Sequence, residues 1–191
     1  MSVGARILKY QHLRAYARLE KVYCQIIWDG SHVSLVTTGL QWAKNFKPVR
    51  SYTAIKTSFW VRKTAGNPQP PWLRYLIYTS PDGGPPIGPL LADVTLTLPT
   101  LSPTEWTKIE FEYDPVPLVA GVNYRDSLIN AGNAGYPPYY SYGIQGITHD
   151  YADIDTCQPP GPGYYRWWYS PTNPGPWSHQ EWWVVYQMIG Y

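Results

Sequence analysis

Tyrosine and tryptophan are the side chains through which this sequence is most able to bind other molecules. The chain has 18 Tyr and 10 Trp, and residues 136–191 hold 15 of these 28. Their rings can stack on the C–H faces of sugars, and they are also enriched at the centres of protein interfaces. We favour a subunit interface because 28 such residues exceed what one sugar site can use; carbohydrate binding is the alternative. The predicted binding residues are Tyr136, Tyr139, Tyr140, Tyr142, Tyr164, Tyr165, Trp167 and Trp168.

Three carboxylates in the same region, Asp150, Asp153 and Asp155, are the candidate metal ligands. Carboxylate oxygens are preferred by calcium, so a calcium site is one interpretation of this cluster. The spacing differs from the EF-hand loop, which requires a glycine and a terminal glutamate. We favour a solvated acidic loop, and no other cofactor is expected.

Catalytic chemistry has little support in the sequence. The four histidines are scattered, and no Cys-x2-Cys or His-x3-His pair suggests a transition-metal site. Neither a Gly-x-Ser-x-Gly turn nor a phosphate-binding loop is present. Cys24 is better explained as a buried structural thiol than as a nucleophile, and its pairing with Cys157 stays open. The sequence therefore predicts a protein that is not an enzyme.

Charge is sparse and unevenly distributed along the chain. The formal net charge of +2 argues against binding of duplex nucleic acid. Residues 1–25 carry a net charge of +4, whereas residues 136–191 carry −3. We interpret residues 1–21 as a basic arm that is either solvated or docked on a neighbouring subunit. The basic residues predicted as assembly contacts are Arg6, Lys9, Arg14 and Arg18.

The elements that must position these residues are predicted to be strands. Helical spacing is found only in the first 20 residues, and from Val22 onward short apolar runs alternate with Gly, Pro, Asn and Asp. Residues 90–98 alternate strictly, and residues 109–113 alternate up to Asp114-Pro115, where this strand is expected to stop. The pattern predicts an all-β, jelly-roll-like antiparallel sandwich of about 8–10 strands over residues 22–191. The expected core residues include Phe59, Ile77, Leu90, Val94, Leu96, Ile109, Phe111 and Tyr124.

Four segments in this order resemble a known family. They are residues 54–61 (AIKTSFWV), 72–92 (WLRYLIYTSPDGGPPIGPLLA), 106–113 (WTKIEFEY) and 118–124 (LVAGVNY). This order resembles a jelly-roll β-sandwich domain that recurs in phage virion surface proteins and in bacterial extracellular and anchored proteins. The resemblance covers roughly residues 24–191 and implies a fold, but it implies no shared catalytic residues.

Together these features predict a non-enzymatic virion structural protein, either a capsid decoration or a tail-associated surface protein. We expect it to self-assemble as a homotrimer or an array and to contact other virion proteins. No export signal or membrane-spanning segment is apparent at the sequence level, so we expect synthesis in the host cytoplasm and location on the virion surface. The alternative is an extracellular carbohydrate-binding module or adhesin that recognises host or environmental polysaccharide.

Overall fold

The protein is an all-β sandwich, as the sequence predicts. The structure, a computed structural model, describes residues 20–26, 32–37, 41–64, 66, 68–80, 88–130, 140–147, 157–158, 167–170, 178–180, 183–184 and 186–191. Within those residues every regular element is a strand, and the strands form two antiparallel sheets of seven strands each. The predicted helix of the first 20 residues lies outside this part of the chain, except for Glu20.

The described residues contain fourteen strands, more than the 8–10 expected, and several of them are only two to four residues long. The strands are β1 (Lys21–Ile26), β2 (His32–Thr37), β3 (Gln41–Pro48), β4 (Tyr52–Lys63), β5 (Trp72–Thr79), β6 (Leu90–Thr97), β7 (Thr107–Leu118), β8 (Tyr124–Asn130), β9 (Ser141–Ile147), β10 (Cys157–Gln158), β11 (Trp167–Ser170), β12 (Ser178–Gln180), β13 (Trp183–Val184) and β14 (Tyr186–Gly190).

The two sheets each combine strands from distant parts of the chain. In sheet A the order is β1-β14-β4-β9-β13, with β7 on the other side of β4 from β14 and with β2 paired to β9. In sheet B the order is β12-β11-β3-β8-β5-β6, with β10 paired to β3. Among the described strands the chain crosses from one sheet to the other eight times, between β2 and β3, β3 and β4, β4 and β5, β6 and β7, β7 and β8, β8 and β9, β9 and β10, and β12 and β13. Both sheets therefore contribute side chains to the core.

The core lies between the inner faces of the two sheets. The rings of Phe59 and Phe111 from sheet A contact the ring of Tyr75 from sheet B at centroid distances of 5.6 and 5.4 Å, and they lie 6.0 Å from each other. Because side chains alternate along a strand, the inward residues of β7 are apolar while Glu110 and Glu112 point away. Of the expected core residues, the buried ones are Phe59, Ile77, Ile109, Phe111 and Tyr124, and Val94 and Leu96 are partly buried against them.

The prediction that Leu90 belongs to the core is wrong. Leu90 is 48% exposed, whereas its neighbour Leu91 packs against the core. Pairing between β5 and β6 shifts register at this point: Ala92 lies opposite Ile77, but Leu90 lies opposite Tyr78. One extra residue on β6 is a β-bulge, and it moves every side chain before it to the other face. The alternation predicted for residues 90–98 therefore holds only from Ala92 onward.

The prediction that the β7 strand stops at Asp114-Pro115 is also wrong. Strand β7 continues to Leu118, and Pro117 lies opposite Thr53 of β4. The N–H and C=O groups of Thr53 both bond Tyr191, on the other side of β4, at 2.9 and 3.0 Å. Pro117 is thus at a position where β4 offers it no hydrogen bond, and in the described residues β7 is an edge strand. Proline is tolerated where its nitrogen faces away from the sheet.

Candidate functional site

The predicted aromatic surface is divided between the two sheets where the structure describes it. Tyr142 lies in β9 of sheet A, opposite Val36, and Tyr140 immediately precedes that strand. Trp167 and Trp168 lie in β11 of sheet B. The described residues therefore do not bring these aromatic residues together in one sheet. Tyr136, Tyr139, Tyr164 and Tyr165 lie outside the described residues.

Strand register nevertheless separates the two adjacent tryptophans. Trp167 lies opposite Lys44 of β3, and Trp168 lies opposite Ala43. Because successive residues of a strand alternate between its two faces, we expect one ring of this pair to face inward and the other outward, and this stays a prediction.

The other predicted site residues fall outside the part of the chain that the structure describes. They are the assembly residues Arg6, Lys9, Arg14 and Arg18 and the candidate calcium ligands Asp150, Asp153 and Asp155. Among the described residues there is no group of three or more His, Cys, Asp or Glu that could hold a metal ion. In the same residues no helix is long and apolar enough to span a membrane. Strand β1, which contains Cys24, contacts β10, which contains Cys157; the question of whether the two cysteines pair stays open.

One end of the sandwich carries an exposed apolar surface that the sequence did not reveal. Val49, Leu90, Val119 and Val122 are 39–51% exposed. They lie in or beside the β3–β4, β5–β6 and β7–β8 connections, which all emerge at the same end of the molecule. We call these four residues the apolar tip. Exposed apolar side chains grouped in this way mark binding surfaces more often than single exposed residues do.

Hydrogen bonds hold the loops of the apolar tip to one another. Gly121 N–H donates to the Pro48 carbonyl at 2.9 Å, and Ala120 N–H donates to Ser51 Oγ at 3.0 Å. Ser80 N–H donates to the Asn123 carbonyl at 3.0 Å, so the third connection is tied to the same turn. Gly121 adopts a φ of 76°, in the left-handed region that favours glycine. The tip is thus a preformed surface, which lowers the entropic cost of binding.

A chain of buried hydrogen bonds connects the two sheets through the core. Tyr75 OH donates to Asp126 Oδ2 at 3.0 Å, and Thr57 Oγ1 donates to Tyr75 OH at 3.2 Å. Thr57 Oγ1 is also 2.9 Å from Tyr113 OH; because a hydroxyl has one proton, Tyr113 is the donor of that bond. Thr57 and Tyr113 belong to sheet A, whereas Tyr75 and Asp126 belong to sheet B. The polar chain therefore joins the sheets at their centre.

The electrostatics of this chain favour a structural role. Burial, reinforced by the negative charge of Asp126, raises the pKa of Tyr75 well above its usual value, so Tyr75 stays a neutral donor. Burial likewise raises the pKa of Tyr113. Arg125 is fully buried; burial lowers its pKa to about 10 while the charge of Asp126 opposes this shift. Arg125 thus remains charged at neutral pH beside a buried carboxylate, and the two compensate each other.

A groove runs along the open edge of the sandwich, where the last strand of sheet B meets β7. It has a volume of about 440 Å³ and is lined by residues 91–94 of β6 and 112–114 of β7. In the described residues β6 pairs only with β5, and β7 only with β4, so both strands have an unpaired edge. Val94 and Tyr113 supply the apolar part of the groove, and both pack against the core.

Carboxylates give this groove a negative charge. Asp93 accepts bonds of 2.7 and 2.5 Å from Arg74. Lys56 Nζ is 3.7 Å from Glu112 and also 3.7 Å from Glu20, so two carboxylates share one ammonium group. Asp114 has no ion-pair partner among the described residues. In and beside the groove, four carboxylates thus face two cations, which leaves a net charge of −2.

Comparison with known proteins adds little to this description. No family model matches the chain, and no curated protein matches it. Among solved structures, the chain is similar to one from the structure of infectious bursal disease virus, Gx strain, with 11% sequence identity and a TM-score of 0.28. The similarity covers 85% of this chain and 40% of the viral chain. A similarity this small carries no argument, and what is established of the family resemblance is the antiparallel β-sandwich itself.

Proposed function

We propose that this protein is a non-enzymatic structural protein of a virion, displayed on the particle surface as a capsid decoration or tail-associated subunit, and that it self-assembles. The observation that carries the proposal is the apolar tip. Its loops are joined by hydrogen bonds, so the surface exists before any partner binds. A rigid apolar surface at one end of a sandwich suits attachment of that end to another protein.

The size of the apolar tip is appropriate for a protein contact. Each of its four side chains already has about half of its surface covered, and covering the remainder contributes about 1 kcal/mol per residue. A contact of this kind becomes strong when it is repeated in a symmetric oligomer or array, because each copy then uses the surface. Strand β11, with the outward ring of the Trp167–Trp168 pair, is the second surface that we assign to assembly.

Association of the purified full chain tests the apolar tip. In sedimentation velocity, Val119→Asp and Val122→Asp are expected to weaken self-association at least about tenfold, because a carboxylate cannot be buried there without a partner. The matched control is Thr97→Asp, an equally exposed position at the opposite end of β6. Association that is unchanged in both tip variants, or reduced equally by the control, would show that the tip is not an assembly surface.

Alanine variants test whether the tryptophans of β11 contribute to assembly. Trp167→Ala and Trp168→Ala are expected to differ: replacing the inward ring should cost about 3–5 kcal/mol of folding stability. Replacing the outward ring should leave the urea midpoint nearly unchanged and weaken association. Equal losses of stability in the two variants, with association intact, would mean that both rings serve the core.

Location on a particle is tested with virions purified from the natural source of the protein. An antibody against the folded chain should decorate the outside of intact particles in negative-stain images. If particles are never labelled while the purified chain binds specific sugars on a glycan array, the carbohydrate-binding alternative replaces the virion proposal.

A further inference from the structure

We propose that the groove between β6 and β7 receives residues 1–19 of a neighbouring copy of the same chain. This inference rests on the proposed function, because it names the contact by which copies associate. Residues 1–19 contain four Lys or Arg and no Asp or Glu, a net charge of +4. They are complementary in sign to the groove, around which four carboxylates face two cations.

The sequence pattern of residues 13–19 fits an extended segment in this groove. These residues read LRAYARL, so when Tyr16 is counted as polar, apolar and polar side chains alternate, and we propose that this stretch binds as an extended segment in place of the helix expected from its spacing. In an extended chain Leu13, Ala15, Ala17 and Leu19 share one face, and Arg14, Tyr16 and Arg18 share the other. The apolar face matches Val94 and Tyr113, and the arginines match Glu112 and Asp114. Both groove strands offer free backbone groups, so the segment can add as a strand.

The position at which the segment leaves the fold lets it reach the groove of a neighbouring copy, and the choice of a neighbour over its own groove rests on the proposed self-association. Residue 20 precedes β1, and within sheet A the strands run β1-β14-β4-β7. The segment thus starts at the β1 edge of these four strands, and the groove lies at the β7 edge. The two edges are about 15 Å apart at the usual strand spacing. A copy placed beside the β1 edge presents its own β7 edge directly. Contact between opposite edges is head-to-tail, which builds rings or arrays and not isolated two-fold dimers.

Charge reversal in the full chain tests the contact. One variant carries Arg14→Glu and Arg18→Glu, and the other carries Glu112→Lys and Asp114→Lys; both acidic residues are exposed, so folding should persist, as an unchanged urea midpoint would verify. Each variant alone is expected to self-associate at least about tenfold more weakly than the original chain. Mixing the two variants should restore association, because each segment then meets a groove of opposite charge on the other variant.

The mixture separates the possible outcomes. Rescue on mixing requires contact between different chains; a groove filled by its own segment would give rescue only when all four changes are placed in one chain, and that result would overturn the proposal. Unchanged association of either variant alone would also overturn it. Glu105→Lys, an exposed charge reversal outside the groove, is the control and should neither weaken association nor rescue the arginine variant.

The proposed function can fail independently of this contact. If mixing gives no rescue while Val119→Asp still weakens association, the groove contact is wrong and the proposed assembly through the tip stands. If mixing gives rescue but intact virions are not labelled by the antibody, the contact stands and the virion assignment is wrong.

Discussion

Removing a single hydroxyl from the core tests whether the polar chain between the sheets stabilises the fold. Tyr75→Phe leaves the buried carboxylate of Asp126 without its tyrosine donor and the Thr57 hydroxyl without its acceptor. A lost hydrogen bond costs about 0.5–1.5 kcal/mol between neutral groups and about 1.5–3 kcal/mol when one group is charged. We therefore expect a loss of about 3 kcal/mol. For a chain of this length that corresponds to a fall of about 6–12 °C in Tm.

Urea denaturation followed by tryptophan fluorescence measures this loss, and an unchanged m-value would show that the unfolded state is the same. The control is Tyr78→Phe in the same strand, a half-buried tyrosine for which we expect a change within about 0.5 kcal/mol. A double-mutant cycle with Thr57→Val should give a coupling energy of about 1 kcal/mol. If Tyr75→Phe is no more destabilising than Tyr78→Phe, the chain of hydrogen bonds contributes nothing to stability and its assignment is refuted.

Three further predictions concern the sandwich. Leu91→Ala should cost about 2 kcal/mol and Leu90→Ala less than about 0.5 kcal/mol, measured by urea midpoint; equal or reversed costs would contradict the bulge in β6. Ser127→Ala should raise stability by about 1 kcal/mol, because the buried Ser127 hydroxyl has no partner in the described structure; a loss of stability would reveal one. The hydrogen bonds from Arg74 lower the pKa of Asp93 in the folded state. The stability that these bonds contribute is therefore complete above the usual aspartate pKa of about 4, and it is lost as the pH falls through the lower pKa of the folded state. Because the pair is partly exposed, Asp93→Asn should cost less than about 1 kcal/mol at pH 7, and this cost should decrease as the pH falls through the folded pKa; a cost that does not change with pH would exclude the ion pair as the cause.

The sequence was most informative where a strand has one buried and one exposed face. Period-two alternation identified Ile109 and Phe111 as core residues, because a half-buried strand needs that alternation. It failed at Leu90, because the register between two strands is a property of the pair and cannot be seen in either strand alone. Strand β8 is buried on both faces. Composition alone does not predict this burial, because the strand contains the polar residues Arg125 and Asp126.

The candidate sites were harder to predict for a related reason. Val119 and Val122 flank a turn, where polar residues, glycine or proline are usual. The presence of valine at these positions was the one sequence signal that could have indicated the apolar tip. The groove could not be inferred, because it requires knowing that β6 and β7 are adjacent in different sheets. The aromatic residues were identified by composition, but composition does not assign residues to sheets, and Tyr142 and Trp167 lie in different ones.

Strand β14, the last along the chain, lies between β1, the first, and β4. Lys21 pairs with Gly190, and the absent side chain of Gly190 lets the backbone approach Thr53, where a Cβ would lie 2.1 Å from the carbonyl oxygen. During translation, β1 and β4 therefore have no neighbour between them until β14 has left the ribosome. Sheet B can pair β3, β8 and β5 earlier, because all three strands are complete by Asn130. Closure of sheet A is thus a late event of high contact order, during which exposed strand edges are open to chaperones or to aggregation.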